Sequence, residues 1–182
     1  MFYPWFRRLC VQARFAKWGA AACALLWLAA CSDAPPRREM ANLQIKVSAS
    51  DRANPDEQGR AAPVMVRIFE LKSTHAFENA DFFTLQVDNK SVLGDDALAT
   101  DEFILRPGDV RTLRRLSNPS TTAIGVLAGY RDLGKSVWRT VYRLAPLPEA
   151  SWYRSMMPRP KVILNVMVGP RAVSVTEVNG SQ

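Results

Sequence analysis

Histidine is almost missing from this chain, and much hydrolytic and metal chemistry is excluded with it. The 182 residues hold a single one, His75. A two-histidine zinc site is impossible, and a Ser/His/Asp triad has one candidate base. No G-x-S-x-G motif supplies the nucleophile such a base would serve. Glycine-rich phosphate loops, a dinucleotide fingerprint and an EF-hand spacing are missing as well. Cysteine is scarce and confined to the front: Cys10, Cys23 and Cys31, with none from Ser32 to the end. A disulfide framework and a thiol-rich metal site are thereby excluded from the body of the chain, whose stability must come from apolar burial. Asp95-Asp96 and Asp101-Glu102 are adjacent acids within one stretch, and neighbours of that kind cannot flank a sugar as glycosidic cleavage requires. The reading is a non-enzymatic protein with no cofactor and no metal.

What the front does contain is a secretory signal. Arg7, Arg8, Arg14 and Lys17 form a basic segment with no acid before Asp33, and Trp18 to Leu28 is an uncharged, mostly apolar run of eleven. Such a run falls well short of the ~20 residues a bilayer-spanning helix needs. It closes on Leu28-Ala29-Ala30-Cys31, which resembles the lipobox of bacterial lipoproteins, where the cysteine thiol takes a diacylglyceryl group before cleavage. Ala20-Ala21-Ala22-Cys23 offers a second cut but has Arg14 and Lys17 where an apolar core belongs. Residues 1–30 are therefore read as a signal peptide and Cys31 as the lipidated first residue. Each buried acyl CH₂ contributes about 0.8 kcal/mol, and two or more chains anchor stably. Ser32, where sorted lipoproteins with Asp are retained in the inner membrane, points to an outer-membrane anchor facing the periplasm.

Without the leader's four cations the formal charge falls from +7 to +3, too little for a nucleic-acid-binding face. The remaining 152 residues suit one domain. Residues 31–41, with Pro35-Pro36 and Arg37-Arg38, read as a tether reaching roughly 30 Å at ~3.1 Å per residue. Residues 42–182 read as the folded domain. Leu43, Ile45, Val47 and Ala49 alternate with polar residues, the pattern of a half-buried strand. A polar loop, Asp51 to Ala62, leads to a second strand, Pro63 to Leu71. Phe77, Phe82, Phe83, Leu85 and Val87 are spaced unevenly for a strand, which predicts a helical insert over about 73–98 with Ser73 and Asn79 as caps. Alternation then resumes through a turn at Arg106-Pro107-Gly108-Asp109, strands to Leu116 and over Thr121–Tyr130, and a turn at Asp132-Leu133-Gly134 into Val137–Leu144. Lys161–Val168 and Ala172–Val178 form a last hairpin. The prediction is an all-β, two-sheet antiparallel sandwich of about eight strands with a small helical insert.

Several side chains have expected roles. Asp81 with Phe82, Tyr130 with Arg131, and Trp138 with Arg139 suggest half-buried Asp–Arg pairing beside an aromatic core, with Trp138 between the sheets. Arg111, Arg114 and Arg115 read as one solvated strand face. Gly125 and Gly129 read as places of close packing. Residues 145–160, with Trp152, Tyr153, Met156, Met157 and four prolines, either cover an open end or face a partner.

In order and spacing, LAAC, GRAAPVMVRIFELK (59–72), FENADFFTL (77–85), FILRPGD (103–109) and GVLAGYRDLGKSVWR (125–139) resemble the type VI secretion lipoprotein family, TssJ or SciN. That resemblance implies a transthyretin-like sandwich and an outer-membrane adaptor that binds the periplasmic domain of TssM, and through it TssL. It also implies that the loop between the first two strands makes the contact, here Asp51, Arg52, Asn54, Asp56, Glu57, Gln58 and Arg60. With no large apolar residue, this loop is expected to be exposed and to matter little for folding. The alternative is a lipoprotein module binding carbohydrate or peptidoglycan, for which Trp152-Tyr153 is the candidate pair. Neither reading involves a small-molecule substrate to be turned over.

Overall fold

The computed structural model describes residues 39–146 and 156–178. The signal segment, Cys31, Ser32 and Trp152-Tyr153 lie outside those residues. Eight strands make two four-stranded sheets. The first sheet orders β4 (Val110–Leu116), β1 (Asn42–Ala49), β7 (Lys161–Val168) and β8 (Val173–Glu177). The second orders β3 (Ala97–Leu105), β2 (Val64–Leu71), β5 (Ala123–Gly129) and β6 (Arg139–Arg143). Every pairing is antiparallel except β1 with β7, which run in parallel from Asn42↔Lys161 to Ala49↔Val168. The purely antiparallel expectation is corrected there: β6 ends at the end of the sandwich where β1 begins, and β7 starts from that same end in the other sheet, so it runs in the direction of β1.

Alternation assigns the faces. Leu43, Ile45 and Val47 are buried against Val64, Val66, Ile68, Ile124, Val126, Leu164 and Val166 of both sheets. β2 is buried on its other face as well, because three short helices cover it: α1 (His75–Asn79), α2 (Phe82–Val87) and α3 (Asn89–Leu93). Phe69, Leu71, Phe77, Phe82, Leu85 and Leu127 form this second core. The molecule thus has three layers. Gly125 is required by the contact between the second sheet and the helices: a Cβ there would meet Leu71 Cδ1 at 2.9 Å and the Phe77 ring at 3.0 Å.

Charged side chains fasten the helices. Arg67, nearly buried, donates Nη1 to the carbonyls of Leu85 and Gln86 at 2.8 and 3.0 Å, closing the end of α2, while its other nitrogens pair with Glu102. Arg139 does the same for α1, donating to Phe77 and Ala80 carbonyls at 2.8 Å each, and stacks over Trp138. Asp81 is an N-cap: its carboxylate accepts from the Thr84 amide at 3.0 Å and from its hydroxyl, and these two bonds hold its pKa below the ordinary value. The Asp–Arg pairing expected for Asp81, Arg131 and Arg139 is therefore corrected, since none of the three forms such a pair among the described residues. Asn79 and Ser73 are not the caps either; Thr74 occupies that position for α1 and Asp88 for α3. Trp138 is half-buried at the margin of both cores, edge-on to Phe82 at 5.4 Å, rather than enclosed between the sheets. The expected Arg111–Arg115 face is split by alternation. Arg111 lies over the Phe103 ring and Arg115 pairs with Glu70 and Asp101, while Arg114 takes the outer face. Ala41, assigned to the tether, belongs to the domain: it is fully buried and exchanges hydrogen bonds with Ser117.

Candidate functional site

β1 carries the chain from one end of the sandwich to the other, about 26 Å at ~3.3 Å per residue. At its far end the β1–β2 loop meets the turns joining β3 to β4, β5 to β6 and β7 to β8. Asn54 organises this end. It takes φ of +50°, a region Asn tolerates, and is 3 % exposed. Its Nδ2 donates to the Pro63 carbonyl at 2.7 Å, and its Oδ1 accepts from the Arg131 amide at 2.8 Å. One side chain therefore closes its own loop and ties it to the β5–β6 turn. That turn is tied in its own right to the β7–β8 hairpin, by Tyr130 donating to the Gly169 carbonyl at 3.2 Å and by the Val137 amide donating to Arg171 at 2.8 Å. Burial pushes the Tyr130 hydroxyl's pKa up, so it stays a donor.

Within the loop, Asp56 is a second organiser. Its Oδ1 accepts from the Gln58 and Arg60 amides at 3.0 and 2.9 Å, and its Oδ2 from Arg60 Nε at 2.7 Å. Loss of hydration works to raise its pKa, but the bonds and charge of Arg60 outweigh that and hold it below the ordinary value. Gln58 accepts from Arg60 Nη2, and Gly59 turns the chain at φ +77°. Asp51 and Arg52 are exposed where the loop leaves β1, and Glu57 is exposed at the tip with no side-chain partner among the described residues.

The three elements enclose a polar groove of about 800 Å³. Asp56, Glu57, Gln58 and Arg60 line one wall, Arg131, Asp132 and Lys135 a second, and Pro170 and Arg171 a third. Asp132 pairs with Lys135 at 3.3 Å, whereas the guanidinium groups of Arg131 and Arg171 have no hydrogen-bond or ion-pair partner among the described residues. The groove therefore presents two free cations and one free carboxylate, Glu57, on a fixed frame.

The expected surface is corrected in two respects. Asn54 and its neighbour Ala53 are buried and structural, so the loop is not wholly exposed and part of it belongs to the fold. Asp56 is spent within the loop. Arg131, assigned a structural role, is instead exposed in the groove, and Lys135 and Arg171 had no sequence signal beyond their place in turns. Elsewhere, Asp101 and Glu102 point to opposite faces of β3 and pair with Arg115 and Arg67, and His75 is exposed at the start of α1. Among the described residues no group of three or more His, Cys, Asp or Glu is placed to hold a metal.

Residues 41–170 match the family model described as Type VI secretion lipoprotein, VasD, EvfM, TssJ. No curated protein matches. The solved T6SS lipoprotein TssJ1 of Pseudomonas aeruginosa is 32% identical, with 81% of this chain and 100% of that chain covered and a TM-score of 0.66. Lip of Serratia marcescens, a membrane-bound component of the type VI secretion system, is 31% identical over 75% of this chain and 97% of its own, with a TM-score of 0.63. A chain from a structure described as the T6SS protein TssM C-terminal domain (869–1107) from EAEC is 22% identical over 75% of this chain and 98% of that one. Its TM-score is 0.54, a likeness of fold alone.

Proposed function

The chain belongs to the type VI secretion lipoprotein family, a structural component of a secretion system, and on that premise we propose that it is an outer-membrane adaptor for the periplasmic domain of TssM. The N-terminal signal and Cys31 supply the anchor, with Ser32 directing it to the outer membrane. The groove supplies the partner surface, and TssL is reached only through TssM. The observation that carries this reading is the frame around Asn54. A polar loop that ties itself to two other loops pays its ordering entropy during folding, so little remains to be lost on binding. Arg131 and Arg171, unpartnered among the described residues, also ask for carboxylates from outside the groove.

The test is calorimetry or co-elution of Ser32–Gln182 with the periplasmic domain of TssM. That piece contains the whole buried core, which runs from Ala41 to Val173. Binding is expected, and Arg131→Glu with Arg171→Glu should weaken it by tenfold or more while leaving the melting temperature nearly unchanged, since the loss is one of electrostatic complementarity. Binding at full strength by that variant would remove the groove from the interface. No binding by the intact domain would sink the adaptor reading.

A further inference from the structure

The end of the sandwich opposite the groove has its own surface chemistry. There the chain enters β1 beside the 117–121 loop and the segment that leads into β7. The Ala41 amide donates to Ser117 Oγ at 3.0 Å, and the Asn42 amide to the Pro160 carbonyl at 2.8 Å. Among the described residues, the large apolar side chains exposed toward this end include Met40, Leu116, Met156 and Met157, with Met156 81% exposed. Register places Leu116, Asn42 and Lys161 side by side on three neighbouring strands, about 10 Å from first to last. Arg114, two residues before Leu116, shares its outward face. Together Asn42, Gln44, Arg114, Leu116 and Lys161 edge a hollow of about 440 Å³. Arg114, Arg159 and Lys161 have no ion-pair partner among the described residues. The acids toward this end include Glu39; Glu70 and Asp101, both paired with Arg115; Glu78, paired with Arg143; Glu177, whose carboxylate accepts from the Tyr142 hydroxyl at 2.6 Å; and Asp95 and Asp96, which lie beside the other sheet.

From this arrangement we infer that the tether end of the domain docks on the anionic phospholipid surface of the membrane that holds it, with Arg114, Arg159 and Lys161 on headgroup phosphates and the exposed methionines and Leu116 in the interfacial layer. Flexible thioethers and long basic side chains suit that boundary, because their stems accept an apolar setting while the charges stay wet. The inference rests on the anchor reading, since lipid at Cys31 brings this end to the surface. With Ala41 in the domain, ten residues from Cys31 to Met40 separate lipid from fold, and so short a link keeps the patch at high local concentration, where weak attraction suffices. Each cation near an anionic leaflet adds about fivefold, so three add roughly a hundredfold. Docking here points the groove away from the membrane by the length of β1.

The experiment uses the acylated full-length protein in vesicles of phosphatidylethanolamine with phosphatidylglycerol. Single cysteines introduced by Leu116→Cys, Met156→Cys or Glu57→Cys carry a fluorophore, and lipids with a nitroxide at the headgroup quench it. Strong quenching at 116 and 156 and little at 57 is the expected result. Arg114→Glu with Lys161→Glu should bring the first two down to the third while the protein still floats with the vesicles. Flotation with equal quenching at all three positions would overturn the docking. Failure to float at all would overturn the anchor reading, and the docking with it.

Discussion

Replacing Arg115 by methionine should unsettle the domain more than any other surface-reachable change, because it strands a carboxylate between the sheets. Glu70 lies on the inner face of β2 with Val64, Val66 and Ile68 and is 1% exposed. Its carboxylate accepts from Arg115 Nε, from the Asn118 amide at 3.1 Å and from Thr121 Oγ at 2.8 Å. Arg115, from the opposite sheet, also donates to Asp101, so one guanidinium joins β4 to both β2 and β3. Removing one member of a buried ion pair costs about 3–5 kcal/mol. Two facts reduce this. Arg115 keeps 26% of its side-chain exposure, and its Nη2 is buried without a partner, so removing it relieves about 1 kcal/mol. The expected loss is about 2–3 kcal/mol, a large part of the ~5–15 kcal/mol of a typical domain. In urea, with a slope of about 1.5 kcal/mol/M, the midpoint should fall by roughly 1.5–2 M. Adding Glu70→Gln removes the stranded charge and should restore about half of the deficit. A midpoint that moves by less than about 0.5 kcal/mol equivalent, or a double variant no more stable than Arg115→Met, would refute this account of the network.

Three further outcomes are expected. Gly125→Ala should destabilise by about 1–3 kcal/mol in the same assay, since its methyl would overlap Leu71 and the Phe77 ring. Asn54→Ala should cost about 1–3 kcal/mol by leaving the Pro63 carbonyl and Arg131 amide without their partner, and should weaken TssM binding beyond what the stability loss explains. The Asp56 carboxyl should titrate below the ordinary aspartate value by carbon NMR and move upward in Arg60→Ala. Because its folded value is depressed, whatever stability it contributes is present above the unfolded value and is lost as pH falls through the folded one.

Local periodicity made the sandwich legible, and it failed where a second layer or a backbone partner intervened. The alternation of Leu43, Ile45, Val47 and Ala49 holds residue by residue as β1. Val64, Val66 and Ile68 were readable as an inner face, but nothing within β2 announces that Phe69 and Leu71 are equally buried. That follows from the helices, whose uneven Phe77, Phe82 and Leu85 could be seen as helical without showing which sheet they would cover. Trp138 keeps the inner-face parity of β6, yet it sits where that strand meets α2, so its ring divides between two cores. Polar composition made the β1–β2 loop look dispensable. Asn54 contradicts this because its buried amide satisfies two backbone groups on separate segments, a use of polarity that composition does not distinguish from solvent exposure. Arg131 and Arg171 were beyond sequence reading for a different reason: their significance is that turns 40 residues apart place both beside the same loop.

The strand that joins the two ends bears on how an adaptor would carry load. The proposed tether runs directly into β1, and the loop that frames the groove leaves its other end. β1 is interior to its sheet, with β4 antiparallel on one side and β7 parallel on the other, in unbroken register over nearly its whole length. A pull between membrane and partner would therefore act along this strand: its backbone carries the share that enters through the β1–β2 loop, and the share that enters through the β7–β8 hairpin reaches it by shear along the ladders, which loads their hydrogen bonds together rather than one after another. An edge strand in that place would have one ladder instead of two to resist the same pull. The Arg115 bridge then passes part of the load from the first sheet to Glu70 and Asp101 on the second, and Asn54 passes part from the loop to the β5–β6 turn. In the proposed adaptor, the same two contacts that stabilise the fold would keep the groove and the start of β1 at a fixed separation.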